Sequence, residues 1–234
     1  MPQAVAVGAR RKRDPDLLRG IPLFAGLTET ESTVLGRLLR DRRYERGDTI
    51  FRQGDPGTCL YLISSGVVKI TRQHTDGREI ILALLGVGDV FGELALLDGE
   101  TRSADAIVQA ASEVLVLDRE PFLDYLDKHA KVAARLLATL SRRLRHTDDL
   151  VQDAAFLEVR ARLARLILSI SEGKGGGPDR LPPVRLTQGD LAALIGASRE
   201  SVNRWLKVFA QKGAIRMEKG VLHIVDRESL RAEL

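Results

Sequence analysis

The stretch FGELALLDGETRSA, Phe91 to Ala104, sets a carboxylate directly after a glycine and, nine positions later, an arginine followed by serine and alanine. Glu93 could serve an enzyme as a general base, or it could accept hydrogen bonds from ligand hydroxyls while Arg102 holds an anion. A base needs a nucleophile, an acid or a metal nearby. The four histidines stand apart at 74, 129, 146 and 223, and no other His, Ser or Asp falls into a catalytic arrangement. Neither a triad nor a metal cluster has support, so the chain reads as a non-enzyme without a metal, and the anion as one that stays. A guanidinium paired bidentately with a phosphate, helped by the Ser103 hydroxyl and by backbone N–H groups on a short turn, makes a desolvated anion site. Glu93, acceptor-only when ionised, suits a ribose hydroxyl. Together they describe a site for a cyclic nucleotide.

A second constellation lies near the C-terminus, in LTQGDLAALIGASRESVNRWLKVFAQKGAI. Thr187 can cap a first helix with Leu191, Leu194 and Ile195 on its inner face and small Ala192 where another helix must approach closely. Gly196 permits a tight turn, and Ser198 caps a second helix whose Val202 and Trp205 or Leu206 point inward. Arg199, Glu200, Asn203, Arg204 and Lys207 then face outward. Arginine at the start of such a helix can pair with guanine in the major groove, and glutamate can accept from the cytosine amino group, so Arg199, Glu200 and Arg204 are the base-reading candidates. Thr187, Gln188 and Lys207 are better placed for phosphates, with Ser198 and Asn203 completing the DNA-facing set. GAIRMEKGVLHIVD follows as a two-stranded wing.

These residues need a scaffold, and 234 residues suit two modest domains. Residues 1–15 read as a flexible basic tail carrying Arg10-Arg11-Lys12-Arg13. DLLRGIPLFAGLTETESTVLGRLL has helical spacing, with Thr28 as N-cap and Glu31 three residues on. From Tyr44 to about Leu117 short β-branched and aliphatic runs alternate with Gly-Asp and Asp-Gly turns, the pattern of a compact antiparallel, jelly-roll-like β-roll. Helix formers return from about Pro121. Ala130, Ala133, Leu137, Leu140, Leu144, Thr147, Val151 and Ala154 then recur at steps of three and four, a coiled-coil seam that favours a homodimer over a helix packed only on its own roll. GKGGGPDRLPP reads as a linker. The fold class is α+β: a β-roll domain over 16–125, a dimerisation helix over 126–156 and a winged helix-turn-helix over 157–234.

Composition narrows the function classes. No apolar run approaches the roughly 18 residues of a membrane span, and the basic cluster follows the weakly apolar N-terminal segment rather than preceding it, so no membrane partner and a cytoplasmic location are expected. One cysteine, Cys59, excludes an internal disulfide and reads as a buried small hydrophobe. From Glu158 onward fourteen Lys/Arg face nine Asp/Glu, a basic segment that suits a polyanion.

Both motifs resemble those of the bacterial transcription regulators grouped as the cyclic-AMP receptor protein and fumarate and nitrate reduction regulator family, on the cyclic-AMP receptor branch. The likeness runs from about Leu18 to Val225. It implies that Gly92, Glu93, Arg102 and Ser103 hold the ribose phosphate of cyclic AMP. RRLRHT matches the family's dimer-helix stretch, so Thr147 should meet the adenine and Asp148 the adenine bound by the partner subunit. Relatives carry Ser or Asn at the latter position. A carboxylate there accepts from the adenine 6-amino group and opposes the 6-oxo group of guanine, which favours cyclic AMP over cyclic GMP but leaves room for another effector. Asp148 and Asp149 of two subunits would also repel in the empty dimer, a repulsion that an adenine amine could partly relieve and that would bias the unliganded dimer towards an inactive state. Glu158 replaces the family's usual Asp at the hinge and is a poorer cap. The resemblance further implies a homodimer on double-stranded DNA with palindromic TGTGA-like half-sites, allosteric control by the nucleotide, and RNA polymerase as a partner.

Overall fold

The structure, a computed structural model, describes residues 18, 21–24, 28–171, 185–218 and 221–234. The basic tail and the glycine-rich linker lie outside the described residues. Backbone contacts divide the described residues into two compact units, one within 18–70 and 84–141 and the other within 71–83 and 142–234.

The first unit opens with a 3-10 turn, Pro22–Phe24, and helix α1, Glu29–Leu38. Thr28 caps α1 as its type and spacing predict: Thr28 Oγ1 accepts from the Glu31 amide at 3.3 Å, and the Glu31 carboxylate accepts from the Thr28 amide at 2.8 Å. The roll is antiparallel and built from β1 (Arg40–Tyr44), β2 (Thr49–Phe51), β3 (Cys59–Gln73), β4 (Glu79–Leu85), β5 (Val90–Phe91) and β6 (Asp105–Asp118). Its order is β1-β6-β3-β4, with β2 on β6 and β5 on β3. A four-residue helix α2, Leu94–Leu97, lies inside the cassette. Helix α3, Arg119–Lys128, follows β6, and α4, Ala130–Phe156, begins after a one-residue break at His129. Phe24, Leu35, Leu60, Leu62, Leu96 and Phe122 form the centre of the core, each with essentially no exposure.

Two expectations need correction here. The roll begins at Arg40 rather than Tyr44, because the charged run RDRRY pairs with β6 in register from Arg40 opposite Val116 to Tyr44 opposite Ser112. The long helix also carries two apolar stripes rather than one. Val132 and Leu136 are buried in the roll's own core and Leu140 packs against it, so Leu140 leaves the predicted seam. Leu137, Leu144 and Val151 form the second stripe, each about 64% exposed in the single chain.

The second unit is centred on helices α5 (Val159–Ser171), α6 (Gln188–Ile195) and α7 (Arg199–Gln211), followed by the hairpin β7 (Ile215–Glu218) and β8 (Val221–Ile224) and a short helix α8, Arg227–Arg231. Leu163 and Ile167 of α5, Leu191 and Ile195 of α6, and Val202, Leu206 and Phe209 of α7 form its core. Among the described residues no helix is long and apolar enough to cross a membrane.

Candidate ligand cassette and nucleic-acid interface

The cassette is assembled by a tight strand-to-helix turn. Gly92 has φ +80°, a region open to glycine at little cost, and a Cβ there would lie 2.6 Å from Arg102 Nη1. Glu93 follows at the start of α2, only 2% exposed. Gly57 makes the second close approach, since a Cβ on it would lie 2.2 Å from that of Ala95. The chain before β3 therefore presses directly on α2.

Arg102 is the most informative side chain. It is 3% exposed, and its hydrogen bonds go to neutral acceptors: Nη1 donates to the Gly92 carbonyl and Nη2 to the Cys59 carbonyl, both at 2.6 Å. Its guanidinium carbon stands 4.3 Å from the centroid of Phe51 and 5.7 Å from that of Tyr61. Phe51, Tyr61 and Phe91 form one aromatic cluster, with Tyr61 and Phe91 stacked at 5.0 Å. Burial pushes the Tyr61 phenol well above its ordinary pKa, so it stays neutral. Arg102 Nε is buried and has no hydrogen-bond partner. A buried cation bonded only to dipoles, with an unmet N–H, is costly as it stands and suits an incoming anion.

Ser103 is exposed beside this buried arginine. Gly92, Glu93, Arg102 and Ser103 are thus all in the first unit. Thr147 and Asp148 belong to the second, exposed on α4. The Thr147 hydroxyl donates back to the Arg143 carbonyl at 3.0 Å, which spends its proton and leaves oxygen lone pairs to accept. Phe51, Tyr61 and the Cys59 carbonyl were not anticipated. The chain has only ten aromatics, so three of them flanking the strands around the cassette was the signal available.

The candidate helix-turn-helix follows its sequence pattern closely. Thr187 and Asp190 form a reciprocal capping box. The Thr187 hydroxyl donates to the Asp190 carboxylate at 2.8 Å, so a phosphate would have to compete for that proton. Gly196 ends α6 with φ +61°, and Ser198 caps α7 by accepting from the Ser201 amide at 3.2 Å. Arg162 of α5 secures the turn by donating to the Ile195 carbonyl at 2.7 Å. Val202 and Leu206 are buried, Trp205 is half-buried, and Arg199, Glu200, Arg204 and Lys207 are exposed. Asn203 is half-buried, as are Gln188 and Leu194. The wing pairs antiparallel, with Ile215 opposite Ile224.

Residues 41–129 match the cyclic nucleotide-binding domain and residues 161–233 the Crp-like helix-turn-helix domain. The cyclic AMP receptor protein of Thermus thermophilus is 39% identical over 208 residues, 88% of this chain and 94% of that one. The chain belongs to the cyclic AMP receptor protein family. A second member, the CRP-like cAMP-activated global transcriptional regulator of Mycobacterium tuberculosis, is 36% identical over 218 residues, 92% of this chain and 97% of its own. Among solved structures, the c-di-GMP-responsive regulator CLP of Xanthomonas campestris superposes with a TM-score of 0.71 at 27% identity, covering 80% of this chain and 94% of that one. The chain thus pairs a cyclic nucleotide-binding domain with a Crp-like helix-turn-helix domain, as a transcription regulator of this family does.

Proposed function

We propose that this regulator is a cytoplasmic homodimer that binds cyclic AMP through Gly92, Glu93, Arg102 and Ser103 and thereby shifts to the state that grips its operator. The observation that carries the reading is Arg102: a buried guanidinium with neutral hydrogen-bond partners and an unmet Nε–H, next in sequence to an exposed serine. A cyclic phosphodiester supplies the missing charge. Thr147, whose proton is already committed, accepts from the adenine 6-amino group, as does Asp148 from the partner subunit's nucleotide. Both choices disfavour guanine.

On DNA, Arg199, Glu200 and Arg204 read base edges of TGTGA-like half-sites, and Thr187, Gln188, Ser198, Asn203 and Lys207 hold or frame the phosphates. Two-fold symmetry sets the half-sites one helical turn apart, about 34 Å. RNA polymerase is the partner that a regulator seated there would meet. The domain limits proposed are those given above: roll to about residue 125, dimer helix to 156, DNA-binding domain to 234.

Calorimetric titration with cyclic AMP, cyclic GMP and cyclic di-GMP, paired with operator binding with and without each, tests the assignment. Heat and tighter operator binding are expected with cyclic AMP, and both are expected to vanish in Arg102→Leu. A second reading is favoured by Asp148, which departs from the Ser or Asn of relatives, and by the likeness to a c-di-GMP-responsive structure. Under it the fold is the same and the effector is another small molecule, or none. Response to cyclic di-GMP alone, or undiminished operator binding without any ligand, would decide for it.

A further inference from the structure

Arg119 is the first residue of α3, and it ties that helix to the cassette and to the chain just before β3. Its backbone N–H donates to the Thr58 carbonyl at 2.9 Å. Its Nε donates to the Leu96 carbonyl at 3.0 Å. Its Nη2 lies 3.7 Å from where a Cβ on Gly99 would stand, against the turn that follows α2. Leu96 is in the last turn of α2, where carbonyls have no partner of their own helix. Arg119 supplies one from another element.

Thr58 is the covalent neighbour of Cys59, whose carbonyl holds Arg102. The contacts therefore close a ring. Arg102 joins Gly92 to Cys59; the chain runs from Cys59 to Thr58; Arg119 joins Thr58 to Leu96; and the Leu96 amide bonds to the Glu93 carbonyl at 3.0 Å, one residue from Gly92. The tight packing of Gly57 on Ala95 stiffens the same ring. An anion that enters and draws the guanidinium toward itself competes with the Gly92 and Cys59 carbonyls for it. Any displacement of those carbonyls is carried to the Thr58 and Leu96 carbonyls, and both end on Arg119.

Arg119 opens a helix that is firmly held elsewhere. Phe122 and Tyr125 are buried in the core, Tyr125 stacks on His129 at 4.1 Å between centroids, and His129 Nδ1 lies 3.2 Å from the Glu31 carboxylate. His129 leads into α4, whose Val132 and Leu136 are buried in the same core. A helix pinned along one face and pulled at its first residue moves as a body, not by fraying.

We propose that Arg119 is a positioning residue that couples occupancy of the cassette to α3 and hence to α4, without touching the nucleotide. The proposal rests on the cyclic-nucleotide reading given above. Arg119→Met removes the guanidinium hydrogen bond to Leu96 but keeps the stem, the helix propensity and the backbone bond to Thr58, and Arg119→Lys keeps a donor and the charge.

The test compares wild type and both variants as full-length protein, using cyclic AMP. One measurement is the ratio of operator affinities with and without nucleotide. The other is nucleotide-induced protection from hydrogen exchange at residues 92–98 and at 119–128. In Arg119→Met the affinity ratio should fall about fivefold or more, toward one. Protection should persist at 92–98 and be lost at 119–128, and Arg119→Lys should recover part of both. A merely structural role would lower protection throughout the roll with or without nucleotide. An unchanged affinity ratio in a folded Arg119→Met, or loss of protection in both segments together, overturns the relay. If the wild type itself shows no response to cyclic AMP, the functional reading fails first and the relay with it. If Arg119→Met does not fold, the same criteria apply to Arg119→Gln.

Discussion

Gly92 and Arg102 illustrate how closely the cassette is fitted at the level of single residues. Replacing Gly92 by alanine places a methyl group at 2.6 Å from Arg102 Nη1 and asks an L-residue to hold φ +80°. The backbone term alone costs about 1–2 kcal/mol, and the guanidinium must leave the Gly92 carbonyl. Gly92→Ala should therefore weaken cyclic AMP binding by at least about tenfold (about 1.4 kcal/mol) as well as lower the melting temperature, measured by calorimetry and thermal unfolding. At the other end of the chain Arg199 is exposed at the start of α7, with no fold role to lose. Arg199→Ala should leave stability unchanged, cost about 1–3 kcal/mol of operator affinity and relax one base preference. A loss spread evenly over all sequences in a binding-site selection would make Arg199 a phosphate contact instead. Asp148→Asn tests the repulsion argument: exposed on α4 beside Asp149, it should raise operator binding without ligand and alter nucleotide affinity, and no change in either quantity removes that argument.

Whole elements are fixed by fewer groups than their length suggests. Glu233, past α8, is only 5% exposed at its side chain and accepts from Arg160 of α5 at 2.8 Å and from Lys212, just after α7, at 2.5 Å. The hydrogen bond from Lys212, then the two positive charges, hold its carboxyl below the usual value of 4.5 against the opposing effect of burial. A lowered pKa in the folded state means stabilisation that is complete above pH 4.5 and lost as the pH falls through the folded value. Arg160 and Lys212 are about half exposed and can be rehydrated, so Glu233→Gln should cost only about 1–2 kcal/mol near neutrality. It should also flatten the acid limb of the unfolding curve, followed by circular dichroism as the pH is lowered through and below 4.5. None of this was legible in sequence, because the three partners are 21 to 73 positions apart. The strand β1 was missed for a related reason. RDRRY has no apolar alternation, and its pairing is decided by β6, with Arg43 on its register partner Glu113 at 2.8 Å and Arg40 on Asp118 at 2.5 Å. The helix-turn-helix, by contrast, was largely readable, since its caps, turn glycine and most inward apolars are local, while the Arg162 bond to the Ile195 carbonyl comes from another helix. The cassette was half readable: the types of Gly92 and Arg102 marked them out in sequence, and the structure brings the two into contact, while Phe51 and the Cys59 carbonyl are brought in by the sheet and left no local mark.

At the scale of the whole molecule, the two stripes of α4 make separable demands. Leu137, Leu144 and Val151 are spaced by seven and stand about 64% exposed, whereas Val132 and Leu136 are 1% and 4% exposed in the core. A spacing of seven along one helix suits a supercoiled seam, and in a two-fold dimer each residue on it is buried twice. Burial of a leucine contributes about 1.5–3 kcal/mol, so Leu144→Glu should cost a dimer about 3–6 kcal/mol, which is roughly two to four decades in its dissociation constant. Sedimentation equilibrium should show monomer at micromolar concentration with the fold retained. Operator binding should collapse with it, because a single recognition helix reaches one half-site. Leu136→Ala should do the reverse, lowering the stability of the roll by about 2–5 kcal/mol while leaving association of the folded chains nearly unchanged. If Leu144→Glu stays dimeric, the exposed stripe is not the seam, and the two recognition helices must be brought to adjacent grooves by some other surface.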